Sequence, residues 1–212
     1  MTVPDRMVPP EDGGRPSAVL ILFGAGPAGP DVLLVQRGAN LRRHAGQPAF
    51  PGGAVDPSDD GPAGTALREA AEEALVDPDG VEIVAVLSDL YIYPSAFRVS
   101  PVLAWWREPC AVAPGDPAEI EAVVRVAITD LADPINRVMV RHPSGMVGPG
   151  FRAGSMLIWG FTAYVLTLLL ELGGWARPWD TSQVAELNLA TGPGGEAPAG
   201  GRQALRPEGR RL

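Results

Sequence analysis

The chain has 212 residues, 46% of them hydrophobic, which suffices for one domain with a full core. A net charge of −8, with arginine as the only strong base, argues against a protein that binds nucleic acid through its backbone. The single cysteine, Cys110, cannot close an internal disulfide, and no signal-peptide pattern opens the chain, so a reducing, cytoplasmic compartment is expected.

Residues 1–16 are polar and proline-rich and are expected to be a flexible lead-in. Two apolar, β-branched runs follow, Ser17 to Phe23 and Asp31 to Arg37, which predict strands joined by a glycine-proline turn. That turn, GAGPAG, is not followed by a Lys-Ser or Lys-Thr pair, so it does not read as a phosphate loop. A Phe-Pro-Gly-Gly turn occupies 50–53. Pro62 to Val76 is alanine-rich and predicts a helix, with Asp59 or Asp60 as its N-cap and Pro62 tolerated in the first turn. Val81 to Leu90, Val99 to Trp106 and Ala122 to Ile128 predict further strands, with one of Trp105 and Trp106 exposed. A second helix is predicted over Met156 to Leu172, stopped by Gly173-Gly174. The uncharged stretch from Ala153 to Leu170 is short for a membrane span and carries Ser155, Gly160, Thr162, Tyr164 and Thr167, so a buried helix is expected. From residue 189 the chain is rich in Gly, Pro, Arg and Glu and is expected to be disordered. Helices and strands mix without a repeated βαβ period, which predicts one layered α/β (α+β) domain over 17–188.

The segment from Gly52 to Val76 carries the chemistry. On a helix Glu69, Glu72 and Glu73 share one face, where like charges repel by a few tenths of a kcal/mol per pair. A hard divalent cation turns that repulsion into binding. Arg68 beside them can hold a carboxylate in a fixed orientation through its planar fork.

Gly53, Asp59, Arg68, Glu69, Glu72, Glu73 and Val76 together resemble the Nudix box. Leu75 stands where the box has a glycine, and leucine is costly in the left-handed conformation that ends a helix there. Eight residues separate Asp59 from Arg68, one more than usual. With Leu33 to Arg37, Leu41, His44 to Gln47 and Phe50 to Gly53 upstream, this spacing is similar to the coenzyme A diphosphatase branch. Phe97 to Pro101 and Ile158 to Ala163 resemble later segments of that branch. The resemblance implies an α/β/α sandwich around a mixed sheet and hydrolysis of a diphosphate by metal-activated water. It also implies Mg²⁺ or Mn²⁺ on Glu72 and Glu73, with the Gly53 carbonyl joining. Glu69 is then a ligand or the base, Arg68 belongs to the catalytic machinery, and Glu119 is the candidate for a further acid. Arg37, Arg42, Arg43, His44 and Gln47 are the candidates for binding the substrate, since coenzyme A carries a 3′-phosphate that a cationic cluster suits. Other nucleoside diphosphates such as ADP-ribose or NADH are the alternative substrates, and a binding protein with weakened catalysis is a third reading. Neither nucleic acid nor membrane is expected as a partner, and a homodimer stays open.

Overall fold

The computed structural model describes residues 4, 7–11, 13–38, 46–93 and 95–187. The expected tail from 189 onward therefore lies outside the described residues, as do Arg42, Arg43 and His44.

Two long strands, β1 (Arg15–Gly26) and β2 (Gly29–Arg37), form the hairpin predicted from the apolar runs, closed by Pro27-Ala28. Both are buried on both faces, which their nearly unbroken apolar sequence requires. Leu20 and Leu22 of β1, with Leu33 and Val35 of β2, face one side of the sheet. Ile21, Val32 and Leu34 face the other. The hairpin opens to admit β3 (Pro48–Ala49) against β2 and β4 (Gly52–Ala54) against β1. On the far side of β1 lies β7 (Phe97–Trp106), in parallel, and it is flanked by β5 (Val81–Val86) and β6 (Leu90–Ile92). The outer edge of β2 takes β8 (Ile120–Ala127), antiparallel. The sheet is thus mixed, as expected. Trp106 is buried in it, and Trp105 is turned outward.

Helix α1 (Gly61–Ala74) covers one face through Ala66, Ala70 and Ala74, residues small enough to let its axis lie close to the strands. The short α2 (Ile128–Ala132) and α3 (Gly160–Leu172) cover the other. A second, smaller sheet accompanies α3, formed by β9 (Arg137–Arg141), β10 (Val147–Ala153), β11 (Met156–Ile158) and β12 (Val184–Glu186). The α/β/α sandwich implied by the resemblance is therefore present. Met7, from the segment before β1, is also buried in the core.

Three local expectations need correction. The strand predicted over Val81 to Leu90 ends at Val86, and Leu90–Ile92 forms a separate strand on β7. The helix predicted from Met156 starts at Gly160, because Trp159 is extended and Gly160 takes φ +64°, so 156–158 pair with β10 instead. Asp60 does not cap α1 with its side chain. Among the described residues no helix is long and apolar enough to cross a membrane.

Leu75 ends α1 in the left-handed conformation, at φ 56° and ψ 32°. Its N–H reaches the Ala71 carbonyl at 3.1 Å, and the Val76 N–H reaches Ala70 at 3.3 Å. The exit turn that glycine favours is kept with leucine in place, at a cost of about 1 kcal/mol. Leu75 is half exposed, so little burial offsets that cost. Leu75→Gly should therefore stabilise the protein, raising Tm by roughly 2–4 °C in a thermal melt, and an unchanged or lower Tm would refute the strain.

Candidate active site

The site is built where β4 meets α1. Gly52 and Gly53 lie between β1 and the helix with no room for side chains: a Cβ on Gly52 would strike the Ala18 carbonyl, and one on Gly53 would strike the Glu69 carboxylate. The Gly52 N–H donates to Glu73 Oε2 at 3.0 Å, tying the turn to the helix. Glu69 and Glu73, four residues apart, thus meet the glycine turn from one helical face. Glu72 points outward, with its side chain 59% exposed.

Arg68 organises the carboxylates. Its Nε and Nη2 grip both oxygens of Asp59 at 2.8 and 3.1 Å, the bidentate geometry its planar fork favours. Nη1 donates to Glu69 Oε1 at 2.9 Å and to Glu72 Oε2 at 3.1 Å, while Nη2 also reaches the Ala54 carbonyl at 3.1 Å. All five of its N–H donors can thus be used. Asp59 is held in turn by the Asp56 N–H and the Thr65 hydroxyl, both at 2.8 Å. The eight-residue spacer therefore folds into a turn plus two helical turns that return Arg68 to Asp59.

The electrostatics divide these acids into two kinds. Hydrogen bonds from Arg68 first, and from the Asp56 backbone next, hold Asp59 well below the ordinary carboxylate range. Burial pushes Glu69 up, against the pull of Arg68. Burial pushes Glu73 up to about 7, opposed by the Gly52 N–H and the Arg37 charge and reinforced by the charges of Glu69 and Glu119. Glu69 and Glu73 are carboxylates that pay for ionising; Asp59 is an anchor.

The other candidates divide likewise. Arg37 Nη1 stands 3.4 Å from Glu73 Oε1, so it meets Glu73 directly. The Gln47 carbonyl accepts the Arg37 N–H at 3.1 Å, placing residue 47 beside it. Glu119 approaches Glu73 because the loop before β8 docks on the end of α1: Gly115 N–H donates to the Glu73 carbonyl at 3.1 Å and Ala113 N–H to Ala74 at 3.4 Å. These bonds satisfy carbonyls that a helix end leaves without partners. A Cβ on Gly115 would collide with the Glu72 carbonyl, so this glycine permits the approach. Sequence reading missed the docking, since nothing in Asp116-Pro117-Ala118-Glu119 signals a partner on a helix so far back along the chain. Cys110 is bound up with the same helix exit, its sulfur accepting the Asp77 N–H at 3.4 Å.

Among the described residues no three acidic, histidine or cysteine side chains already converge as a cation site. The donor chemistry nevertheless fits a hard cation: Glu69 and Glu73 are half-buried, the charge of Glu69 acts against ionisation of Glu73, and Glu119 adds to it at Glu73.

A family model described as the NUDIX domain matches residues 14–143, and the chain belongs to that family. Nudix hydrolases generally use divalent cations. The chain is 51% identical over 76 residues to an uncharacterized Nudix hydrolase NudL of Citrobacter koseri, covering 36% of this chain and 39% of that one. It is 46% identical over 89 residues to the NudL of Escherichia coli (strain K12 / DH10B), covering 42% and 45%. The matches thus span less than half the length of these relatives. Among solved structures it is similar to the Nudix hydrolase RenU of M. smegmatis, with a TM-score of 0.54 and 21% identity over 84% of this chain and 99% of that one. A Nudix hydrolase from Alicyclobacillus acidocaldarius gives 0.50 and 20% over 76% and 93%. At these identities the structural likeness speaks for the fold alone.

Proposed function

We propose that this protein hydrolyses the diphosphate bond of coenzyme A or an acyl-CoA, with Mg²⁺ or Mn²⁺, to 4′-phosphopantetheine or its acyl form and adenosine 3′,5′-bisphosphate. The observation that carries the hydrolase reading is the half-buried pair Glu69 and Glu73, drawn against Gly52-Gly53, with Glu69 held by Arg68. A divalent cation there neutralises diphosphate charge and lowers the pKa of its water. Glu72, Glu73 and the Gly53 carbonyl supply oxygen ligands, and Glu69 either joins them or takes the proton of the attacking water. Glu119 is the second candidate for that proton. Arg68 is a positioning residue, since its donors are spent on Asp59, Glu69, Glu72 and Ala54. The substrate rests on the long spacer and on the run from Leu33 to Gly53. In it Arg37 stands at the glutamates, and Arg42, Arg43, His44 and Gln47 are the binding candidates for the 3′-phosphate.

A panel of coenzyme A, dephospho-CoA and ADP-ribose, assayed with Mg²⁺ and Mn²⁺ for phosphate-containing products, tests this. Coenzyme A should give the highest kcat/KM. Dephospho-CoA should be poorer by roughly 10- to 100-fold, the value of one lost charge-assisted contact. Arg42→Ala or Arg43→Ala should narrow that gap. A preference for ADP-ribose would overturn the substrate, and no hydrolysis of any compound would overturn the enzyme.

A further inference from the structure

A cavity of about 430 Å³ lies on the opposite side of the main sheet from α1, lined by Pro134, Ile135, Arg137, Val138, Arg152, Asp180 and Gln183. Arg137 is the unusual member. It is only 5% exposed, and its guanidinium carbon lies 4.4 Å from the centre of the Phe151 ring and 4.6 Å from that of the Trp179 ring. Nη2 donates to Thr167 Oγ1 at 3.3 Å, and Nε is buried with no hydrogen-bond partner. Among the described residues, no carboxylate lies within ion-pair distance of it. Three arginines that are more exposed do have counterions: Arg68 pairs with Asp59, Arg125 with Asp31, and Arg37 with Glu73.

A buried cation without a counterion is costly, and here burial pulls the Arg137 pKa below its ordinary value, with the Glu171 charge opposing. Asp180, the one carboxylate among the described residues that line the cavity, is occupied within its own turn by the Ser182 N–H and hydroxyl at 2.9 and 2.6 Å and by Gln183 Nε2 at 3.1 Å. The guanidinium is held against the Phe151 and Trp179 rings and has donors beyond the one given to Thr167, a group suited to an oxyanion. Arg152, on the neighbouring strand β10, adds a second positive charge at the same cavity. Two arginines suit a dianion better than a carboxylate, and Pro134, Ile135 and Val138 offer apolar surface beside them.

We propose that this cavity is a second anion site, in which Arg137 and Arg152 bind a phosphate group, either free or as a monoester. The site is independent of the glutamate helix and of whatever that helix hydrolyses.

The test titrates full-length protein, kept free of divalent cations with EDTA, with inorganic phosphate in one arm and phenyl phosphate in the other. Calorimetry reads the affinity, and the ¹⁵N-indole NMR signal of Trp179, assigned through Trp179→Phe, reads the place. Saturable binding that shifts the Trp179 signal is expected. Tighter binding of phenyl phosphate would identify a monoester site, and equal binding a site for the free ion. Arg152→Ala and Arg137→Gln should each raise Kd about 10- to 100-fold. Arg152 is exposed, so its variant keeps the test valid should Arg137→Gln fail to fold. Absence of saturable binding, binding unchanged in Arg152→Ala, or benzoate binding in preference to either phosphate would overturn the proposal.

Discussion

Glu73→Gln should lower turnover by roughly 10²- to 10³-fold while making the metal-free protein more stable at pH 8. Both effects come from one carboxylate. Its folded pKa of about 7 lies above the unfolded value of 4.5, so the native state holds the proton more tightly. Below about pH 4.5 both states are protonated and nothing is lost. As pH rises from 4.5 to 7 the unfolded chain ionises first, and the native state progressively loses stability. Above 7 the loss is complete, about 1–3 kcal/mol, and glutamine avoids it because its side-chain oxygen can still accept the Gly52 N–H. Cation binding requires the ionised form, so wild-type affinity should fall about tenfold for each unit that pH drops below 7. Melts of EDTA-treated wild type and variant at pH 4 and pH 8, with turnover in Mg²⁺, check each part. A variant less stable than wild type at pH 8 would refute the burial argument, and near wild-type turnover would remove Glu73 from the site.

Arg68→Lys should cost about 100-fold in kcat despite keeping the charge. Lysine has three donors on a flexible stem and cannot grip both oxygens of Asp59 while reaching Glu69, Glu72 and the Ala54 carbonyl. Glu69 then loses its orientation, and small misplacements of a reacting group cost on this scale. Tm should fall too, since Asp59 is almost wholly enclosed and depends on Arg68 for its counterion. The loss should appear in kcat more than in KM, because Arg68 spends its donors within the protein. A change confined to KM would make Arg68 a substrate contact instead.

Local chemistry made much of this protein legible in its sequence. The apolar, β-branched runs of β1 and β2 were legible as two strands joined by a turn, and the structure buries both of their faces. The alanine-rich run from Pro62 was legible as a helix, and the spacing of Glu69, Glu72 and Glu73 put three carboxylates on one face whatever the fold around them. The second sheet was not legible. Val147 to Ala153 includes Gly148, Pro149 and Gly150, which read as loop, and it becomes a strand because β9 and β11 pair with it on either side. Leu75 was read as a poor helix end, yet it adopts the glycine conformation because docking of the loop at Ala113 and Gly115 and the turn at Val76 hold the exit in place. Spacing set the glutamates on one face, but burial beside β1 and the approach of Glu119, both long-range contacts, separated Glu73, lifted to about 7, from Asp59, held low by Arg68. Arg137 is the extreme case. As one arginine between Asn136 and Val138 it carries no signal, and only the folding of Phe151 and Trp179 around it makes it a buried cation. Periodicity and motif are properties of neighbours along the chain, whereas desolvation and charge pairing depend on which distant residues the fold brings together.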